Sequence, residues 1–234
     1  MKSTIIYLVF GLAVEMANAQ TNGQFNGVLT YTDNFDIGNI SGKVVTIISE
    51  SDGKGRIDSK SYPGKSPTNN PAEKDQDILL YDFSKRQKTT LVAKLKRASV
   101  QSLAVESQRY QQIMESEGET ISIENLGPEK IGPFNCTHFV ISMISTKMKM
   151  PANAPKKNIW ITKDLGSSNI WYVGPYLYYI SGSFQQQKLV EAGATGIIVK
   201  WHYGSDEATL TDHVQRTVPS STFDIPSGYA TTSY

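Results

Sequence analysis

Apolar and polar residues alternate with a period of two along most of this chain, and no other feature constrains its fold as much. Phe25, Leu29 and Tyr31 share one face of a predicted strand, and β-branched residues crowd positions 43–49. The clearest strand spans residues 195–203. Because successive side chains of a strand point to opposite faces of a sheet, this pattern predicts a mostly β protein built from antiparallel hairpins.

Two segments break the alternation and are predicted to be helical, in a fold with two or three helices in all. In residues 100–117 apolar side chains recur at helical spacing, and Gly118 can end that helix. A second helix is predicted after Ser183, which fits a capping box with Gln186, and Gly193 sits where a C-cap would lie.

Two stretches rich in turn-forming residues are predicted to connect strands. Residues 61–75 combine Pro, Asn, Gly and charge, which is typical of an exposed loop. Residues 126–133 contain two Gly-Pro pairs and are predicted to form a stiff turn. There is no internal repeat and no compositional break, so residues 20–234 are expected to form a single domain.

The first nineteen residues have the features of a cleavable signal peptide. An apolar run over residues 5–14 is followed by small residues that place the cut after Ala19. The run is shorter than the roughly 20 apolar residues of a membrane-spanning helix. Because the next residue is Gln20, and a lipoprotein would need cysteine there, we expect a soluble protein in the periplasm or the extracellular medium.

Charge and cysteine content narrow the expected partners. The formal net charge is +1 at pH 7, so no large basic field attracts nucleic acid, and no later stretch is apolar enough to span a membrane.

Cys136 is the single cysteine, so an intramolecular disulfide is ruled out. The role of its thiol is left open, with burial favoured because it lies in a strand-like run.

The sequence contains no motif that specifies a reaction. His138, His202 and His213 are not at metal-ligand spacing, and there is neither a nucleophile elbow nor a glycine-rich phosphate loop. We therefore predict no catalytic residue, no metal site and no cofactor. A hydrolase with a site assembled from distant carboxylates, or from Cys136 and His138, is the least favoured of three alternatives.

Aromatic residues are the most promising feature for function. Residues 170–180 hold five aromatic side chains in eleven positions. As a group such side chains can pack a core, line an apolar cavity or form a partner-binding surface. The candidate cavity residues are Trp160, Trp171, Tyr176, Tyr178, Trp201, Tyr203, Leu103, Tyr110 and Met114.

Three short stretches together carry a family resemblance: residues 130–136 (KIGPFNC), 158–165 (NIWITKDL) and 223–229 (FDIPSGY). In order and spacing they resemble the DUF4412 family of exported bacterial proteins. The resemblance implies a LolA-like plan, as in periplasmic lipoprotein carriers. In that plan a curved antiparallel sheet, or incomplete β-barrel, is covered by helices that enclose an apolar cavity. The family carries over no catalytic residues.

These features favour a non-enzymatic binding protein that holds a lipid, an acyl chain or another hydrophobic ligand. The second alternative is a structural or protein-interaction module of the cell envelope, with the interior filled by the protein's own side chains. The hydrolase is the third alternative. The ligand, the partner and the oligomeric state are not specified by the sequence.

Overall fold

The computed structural model describes residues 23–37, 40–63, 74–75, 78–147, 156–174 and 177–233. The predicted signal peptide, most of the predicted loop over residues 61–75 and the candidate residue Tyr176 lie outside this part of the chain.

Fifteen strands and two α-helices make up the described chain. The strands are β1 (Gly27–Ile37), β2 (Ile40–Ser51), β3 (Lys54–Pro63), β4 (Lys74–Asp75), β5 (Ile78–Asp82), β6 (Gln87–Val92), β7 (Arg97–Ser102), β8 (Glu119–Ile131), β9 (Phe134–Ser145), β10 (Lys157–Thr162), β11 (Ile170–Gly174), β12 (Leu177–Ile180), β13 (Ile197–Tyr203), β14 (Asp206–Gln215) and β15 (Ala230–Ser233). The helices are α1 (Leu103–Glu117) and α2 (Phe184–Glu191), and short 3₁₀ turns lie at Ala93–Leu95 and Ser220–Phe223.

Thirteen of these strands form one large sheet. Its order is β15-β7-β6-β5-β3-β2-β1-β14-β13-β10-β9-β8, and β4 pairs with β3. The pairing is antiparallel throughout the described sheet except between β15 and β7. The sheet is curved and is not closed into a barrel, so β15 and β8 are its edges. The predicted mostly β fold with a large curved antiparallel sheet is confirmed.

The remaining two strands, β11 and β12, form a hairpin that packs inside the curve of the sheet. Its side chains Trp171 and Tyr172 are buried in the same apolar cluster as Ile48 of β2 and Ile159 of β10. Strands from distant parts of the sheet thus share one core around the hairpin. The hairpin fills much of the concave face with the protein's own side chains.

The two helices lie beside this hairpin. Helix α1 contacts both β7 and β8, which are far apart in the strand order, and α2 contacts α1, β8 and β12. The predicted capping box at the start of α2 is only half formed: Ser183 Oγ accepts a hydrogen bond from the Gln186 backbone N–H, but Gln186 Oε1 accepts one from the Gly182 N–H rather than from that of Ser183. The helix ends at Glu191, and Gly193 follows with a φ of 87°.

The structure corrects the predicted start of the first helix. Residues 100–102 are in strand β7, where Ser102 pairs with Gln87 of β6, and the helix begins at Leu103. The ladder with β6 holds these residues in an extended conformation despite the apolar spacing, which is a case of tertiary pairing overriding a local pattern.

The predicted stiff turn over residues 126–133 is also wrong. Strand β8 continues to Ile131, and the connection to β9 is confined to residues 132–133. A register shift between Asn125 and Gly127 absorbs the first Gly-Pro pair. Pro128 is tolerated because β8 is an edge strand, whose outward-facing N–H groups have no strand partner in the described sheet.

Candidate functional site

An apolar cleft of about 270 Å³ opens between the sheet, helix α1 and the hairpin. We call it the α1 cleft. It is lined by Leu79, Tyr81, Lys88, Leu103, Glu106, Ser107, Tyr110, Leu177, Tyr178, Ile180, Ser181, Ser183 and Gln185. Three of the sequence-predicted cavity residues, Leu103, Tyr110 and Tyr178, therefore meet at one site.

One ion pair lies on the wall of the α1 cleft. Lys88 Nζ is 2.6 Å from Glu106 Oε1, and the Lys88 side chain is 16% exposed whereas that of Glu106 is 53% exposed. The cation is thus held against the apolar lining and its carboxylate partner extends toward solvent. An ammonium has three donors, so Lys88 can take a further acceptor from a bound molecule.

Hydroxyl groups extend from the α1 cleft into the core. Tyr178 Oη is 3.0 Å from Ser59 Oγ, and Ser59 Oγ is 3.0 Å from Thr46 Oγ1. The Thr46 side chain interacts in turn with Tyr172, whose hydroxyl donates to Asp33 Oδ2 over 3.2 Å. This hydroxyl chain links the cleft wall to a buried carboxyl group.

Asp33 lies on β1 with its side chain on the concave face and is fully buried. Burial is the main cause that raises its pKa to about 7; the hydrogen bond from Tyr172 opposes this shift and the charge of Asp206 adds to it. Its second oxygen, Oδ1, has no hydrogen-bond partner in the described part of the chain. A buried carboxyl oxygen without a donor costs free energy, so this half-satisfied acid is a functional candidate.

Glu50 is a second buried carboxyl group, on the neighbouring strand β2. Ser168 Oγ donates to Oε1, and the Asn169 backbone N–H donates to Oε2 over 2.9 Å. Burial raises its pKa to about 7 against the lowering effect of these hydrogen bonds. Both oxygens have partners, so Glu50 ties residues 168–170 to the sheet.

Neither acid was among the sequence candidates, although the alternation carries a signal for both. Asp33 continues the inward phase of Leu29 and Tyr31, and Glu50 continues the inward phase of Ile48. An acid in the buried phase of a strand is a costly choice, which marks it for attention.

The predicted tryptophans do not come together in the cleft. Trp171 and Trp201 are core residues that are 2% exposed. Trp201 lies opposite Ile159 in the β10–β13 pairing, whereas Trp160 lies opposite Lys200. Directly opposed residues share a face, so Trp160 is on the outer face of the sheet.

The remaining candidates are spread over other parts of the molecule. Met114 of α1 is buried, and Tyr203 at the end of β13 is 42% exposed. Neither residue lines the α1 cleft.

On the outer face Trp160 is part of a polar cluster. Its Nε1–H donates to Glu129 Oε2 over 2.8 Å, its ring stacks on His138 at a centroid distance of 4.3 Å, and Lys200 Nζ lies 5.4 Å from its ring centroid. The indole N–H and the ring of Trp160 thus have partners within the cluster.

Lys157 occupies an aromatic cage on the concave face, outside the α1 cleft. Its Nζ lies 5.7 Å from the ring centroid of Tyr179 and 5.8 Å from those of Trp201 and Tyr203, and it donates to the Val173 carbonyl over 2.9 Å. Burial lowers its pKa to about 8. The neighbouring Trp201 Nε1 is buried without a hydrogen-bond partner among the described residues.

The proposed thiol–imidazole pair is not assembled in this structure. The ring nitrogens of His138 contact Glu129 Oε2 at 3.2 Å and Asn158 Oδ1 at 3.0 Å. Cys136 is buried as predicted, its Sγ lies 3.8 Å from the Phe134 carbonyl oxygen, and burial raises its pKa to about 11. A thiol in that environment stays protonated at neutral pH.

Within the described ranges, no three His, Cys, Asp or Glu side chains are placed so that they could hold a metal ion together. Of the helices that the structure describes, none has the length and apolar character needed to cross a membrane.

The family now follows from a comparison of the whole chain. Residues 25–229 match the family described as "Domain of unknown function (DUF4412)". The chain belongs to the DUF4412 family. No protein with a curated description matches the chain. For this DUF4412 protein, function must therefore be argued from the site itself.

Proposed function

We propose that this DUF4412 protein is an exported binding protein that holds a small amphiphile, an acyl chain with an anionic head group, in the α1 cleft. The observation that carries the proposal is the cleft itself, in which seven apolar or aromatic side chains and five further polar ones surround a single cation, Lys88. Pockets with mostly apolar walls and a few placed polar groups are the usual form of small-molecule sites.

The volume of the cleft limits the apolar part of the ligand. A protein cavity of about 150 Å³ holds benzene, so 270 Å³ corresponds to roughly ten or eleven non-hydrogen atoms. A medium-length acyl chain fits that space. Contacts would come from Leu79, Leu103 and Ile180, with Tyr110 and Tyr178 adding ring surface.

Lys88 supplies the reason for an anionic head group. Its ammonium is held at the wall by Glu106, a partner that is half exposed. A ligand carboxylate would exchange this exposed ion pair for one that is shielded by the ligand's own chain, and shielded pairs are screened less than exposed ones. The plan would then parallel that of LolA-like carriers, in which helices cover an apolar concave face.

A first experiment asks whether the protein carries a ligand when it is made. Residues 20–234 are produced in a bacterial periplasm, and the native mass is compared before and after solvent extraction. We expect an excess mass that extraction removes. A bare polypeptide mass, together with no heat of binding on titration with decanoate, would contradict the proposal.

A second experiment tests the head group. Decanoate and decanol have the same chain, so Lys88→Gln is expected to weaken decanoate binding about tenfold and to leave decanol binding unchanged in calorimetric titrations. Lys200→Gln is the matched control, because Lys200 also pairs with a carboxylate, Glu207, but lies outside the cleft. Equal losses of affinity for decanoate and decanol would show that Lys88 does not bind the head group.

The alternative of a structural or protein-interaction module is favoured by a different observation. The concave face is packed by Trp171, Tyr172 and Val173, each at most 2% exposed. If that packing is the whole purpose of the hairpin, the protein made in the periplasm has a bare mass and neither decanoate nor decanol binds.

A further inference from the structure

Outside the α1 cleft, the lysine side chain of Lys157 has no counter-ion among the described residues. Several lysines of the described chain have carboxylate partners, among them Lys88, Lys188 and Lys200. Lys157 has none within ion-pair distance among the residues that the structure describes; its one hydrogen bond goes to the Val173 carbonyl. Burial is the cause that lowers its pKa.

The groups that face Lys157 come from three elements. Tyr179 is on β12, Trp201 and Tyr203 are on β13, and Val173 on β11 contributes its carbonyl oxygen. None of these neighbours carries a negative charge at neutral pH, since burial also raises the pKa of Tyr179. The cage therefore holds the amine by ring contacts and one carbonyl rather than by an ion pair.

We propose that Lys157 is a nucleophilic amine that binds aromatic or unsaturated aldehydes as imines. Lys157 is half-buried and Tyr203, one wall of the cage, is 42% exposed, so the cage borders solvent on that side. The flat ring walls select flat ligands, which stack favourably on aromatic side chains. This site is separate from the α1 cleft and does not depend on its ligand.

The reaction requires nothing that the site lacks. The lone pair of the neutral Lys157 nitrogen attacks the carbonyl carbon, a C–N bond forms, and the carbonyl oxygen takes up a proton. The nitrogen then loses its proton and the hydroxyl leaves as water, so amine and aldehyde give imine and water. The protonated imine is a cation, and three rings within 6 Å stabilise a cation at that place.

The test uses a neutral probe, 4-methoxybenzaldehyde, with cyanoborohydride to trap any imine as a stable secondary amine. Residues 20–234 are labelled for a limited time at several pH values, and labelling of each lysine is read by peptide mass spectrometry. The matched comparison is Lys200, which also contacts an aromatic ring but is paired with Glu207.

We expect Lys157 to be labelled about tenfold or more faster than Lys200 at pH 8, because burial lowers the pKa of Lys157 to about 8 whereas Lys200 is held in an ion pair with Glu207. The rate at Lys157 should reach half its maximum near pH 8. Lys157→Arg should remove the label from that peptide, and urea should abolish the preference. Labelling of Lys157 no faster than Lys200 in the folded protein would overturn the proposal.

Discussion

Asp33 and Glu50 are two carboxyl groups on neighbouring strands, both turned toward the same concave face and both buried. Burial raises both pKa values to about 7. They differ in their hydrogen bonds, because both Glu50 oxygens accept hydrogen bonds whereas Asp33 Oδ1 has no partner in the described chain. Equal burial and similar raised pKa values therefore do not give these two acids equal roles.

The hydrogen bonds of Glu50 stabilise the fold. Its carboxylate bonds Ser168 and Asn169, more than one hundred residues away along the chain, and so fixes the approach to β11. Asp33 accepts a hydrogen bond from Tyr172 and pairs with Ala208, which also pairs with Trp201, whose indole N–H has no partner among the described residues. One of these two polar groups belongs to Trp201, whose ring also contacts the Lys157 ammonium.

The largest effect is expected in the free energy of unfolding of two amide variants, Glu50→Gln and Asp33→Asn, at pH 8. Glu50→Gln should lower the free energy of unfolding by about 2–4 kcal/mol, because the amide N–H₂ would face a donor from which the carboxylate accepts a hydrogen bond. Asp33→Asn should change it by less than about 1 kcal/mol, or raise it, since the amide relieves a buried charge. Urea unfolding measures both free energies, and equal losses for the two variants would show that Asp33 and Glu50 contribute equally to stability.

The pH dependence of stability gives the next largest effect. A folded-state pKa raised from 3.8 to about 7 means that folded Asp33 binds more protons than unfolded Asp33 over that range. The contribution of Asp33 to stability is therefore complete below about pH 4 and is lost as the pH rises through 7. Relative to the parent protein, Asp33→Asn should gain about 1–3 kcal/mol between pH 5 and pH 8. Parallel stability curves from urea unfolding would contradict the raised pKa.

A smaller effect separates two buried tyrosines. Tyr172→Phe removes the donor to Asp33 and should cost about 1–2 kcal/mol at pH 8, but less at pH 5, where Asp33 is neutral. Tyr31→Phe is the control, because its hydroxyl donates to the Ile198 carbonyl over 2.8 Å and that acceptor does not titrate. Thermal unfolding at the two pH values should show a pH-dependent loss for Tyr172→Phe alone.

The smallest effect is expected for charge on the outer face. Lys200 pairs with Glu207 over 2.8 Å in a partly exposed position. Exposed ion pairs contribute about 0–1 kcal/mol, so Lys200→Gln should lower the free energy of unfolding by less than about 0.5 kcal/mol. A loss as large as that of Glu50→Gln would show that burial is the wrong basis for ranking these charges.

Most of the fold could be predicted from the period-two pattern, and the exceptions have physical causes. Residues 100–102 resemble a helix by spacing but pair with β6, and the Gly-Pro pair at 127–128 is absorbed in an edge strand. In both places the partner strand, which a local pattern does not contain, decides the conformation.

The candidate site could be predicted only in part. Leu103, Tyr110 and Tyr178 meet in the α1 cleft, as a cavity prediction requires. Trp160 and Trp201 lie on adjacent strands, but their register places them on opposite faces. Because an offset of one residue in register changes the face of a side chain, spacing alone does not assign aromatic residues to one cavity.

The most direct test of the central claim fills the α1 cleft without touching the core. Gln185 of α2 lines the cleft, and Val190 of the same helix is exposed and does not. In calorimetric titrations with decanoate, Gln185→Trp should abolish binding while Val190→Trp binds as the parent protein does, with both variants unfolding at the parent temperature. Decanoate binding that survives Gln185→Trp unchanged would contradict the account.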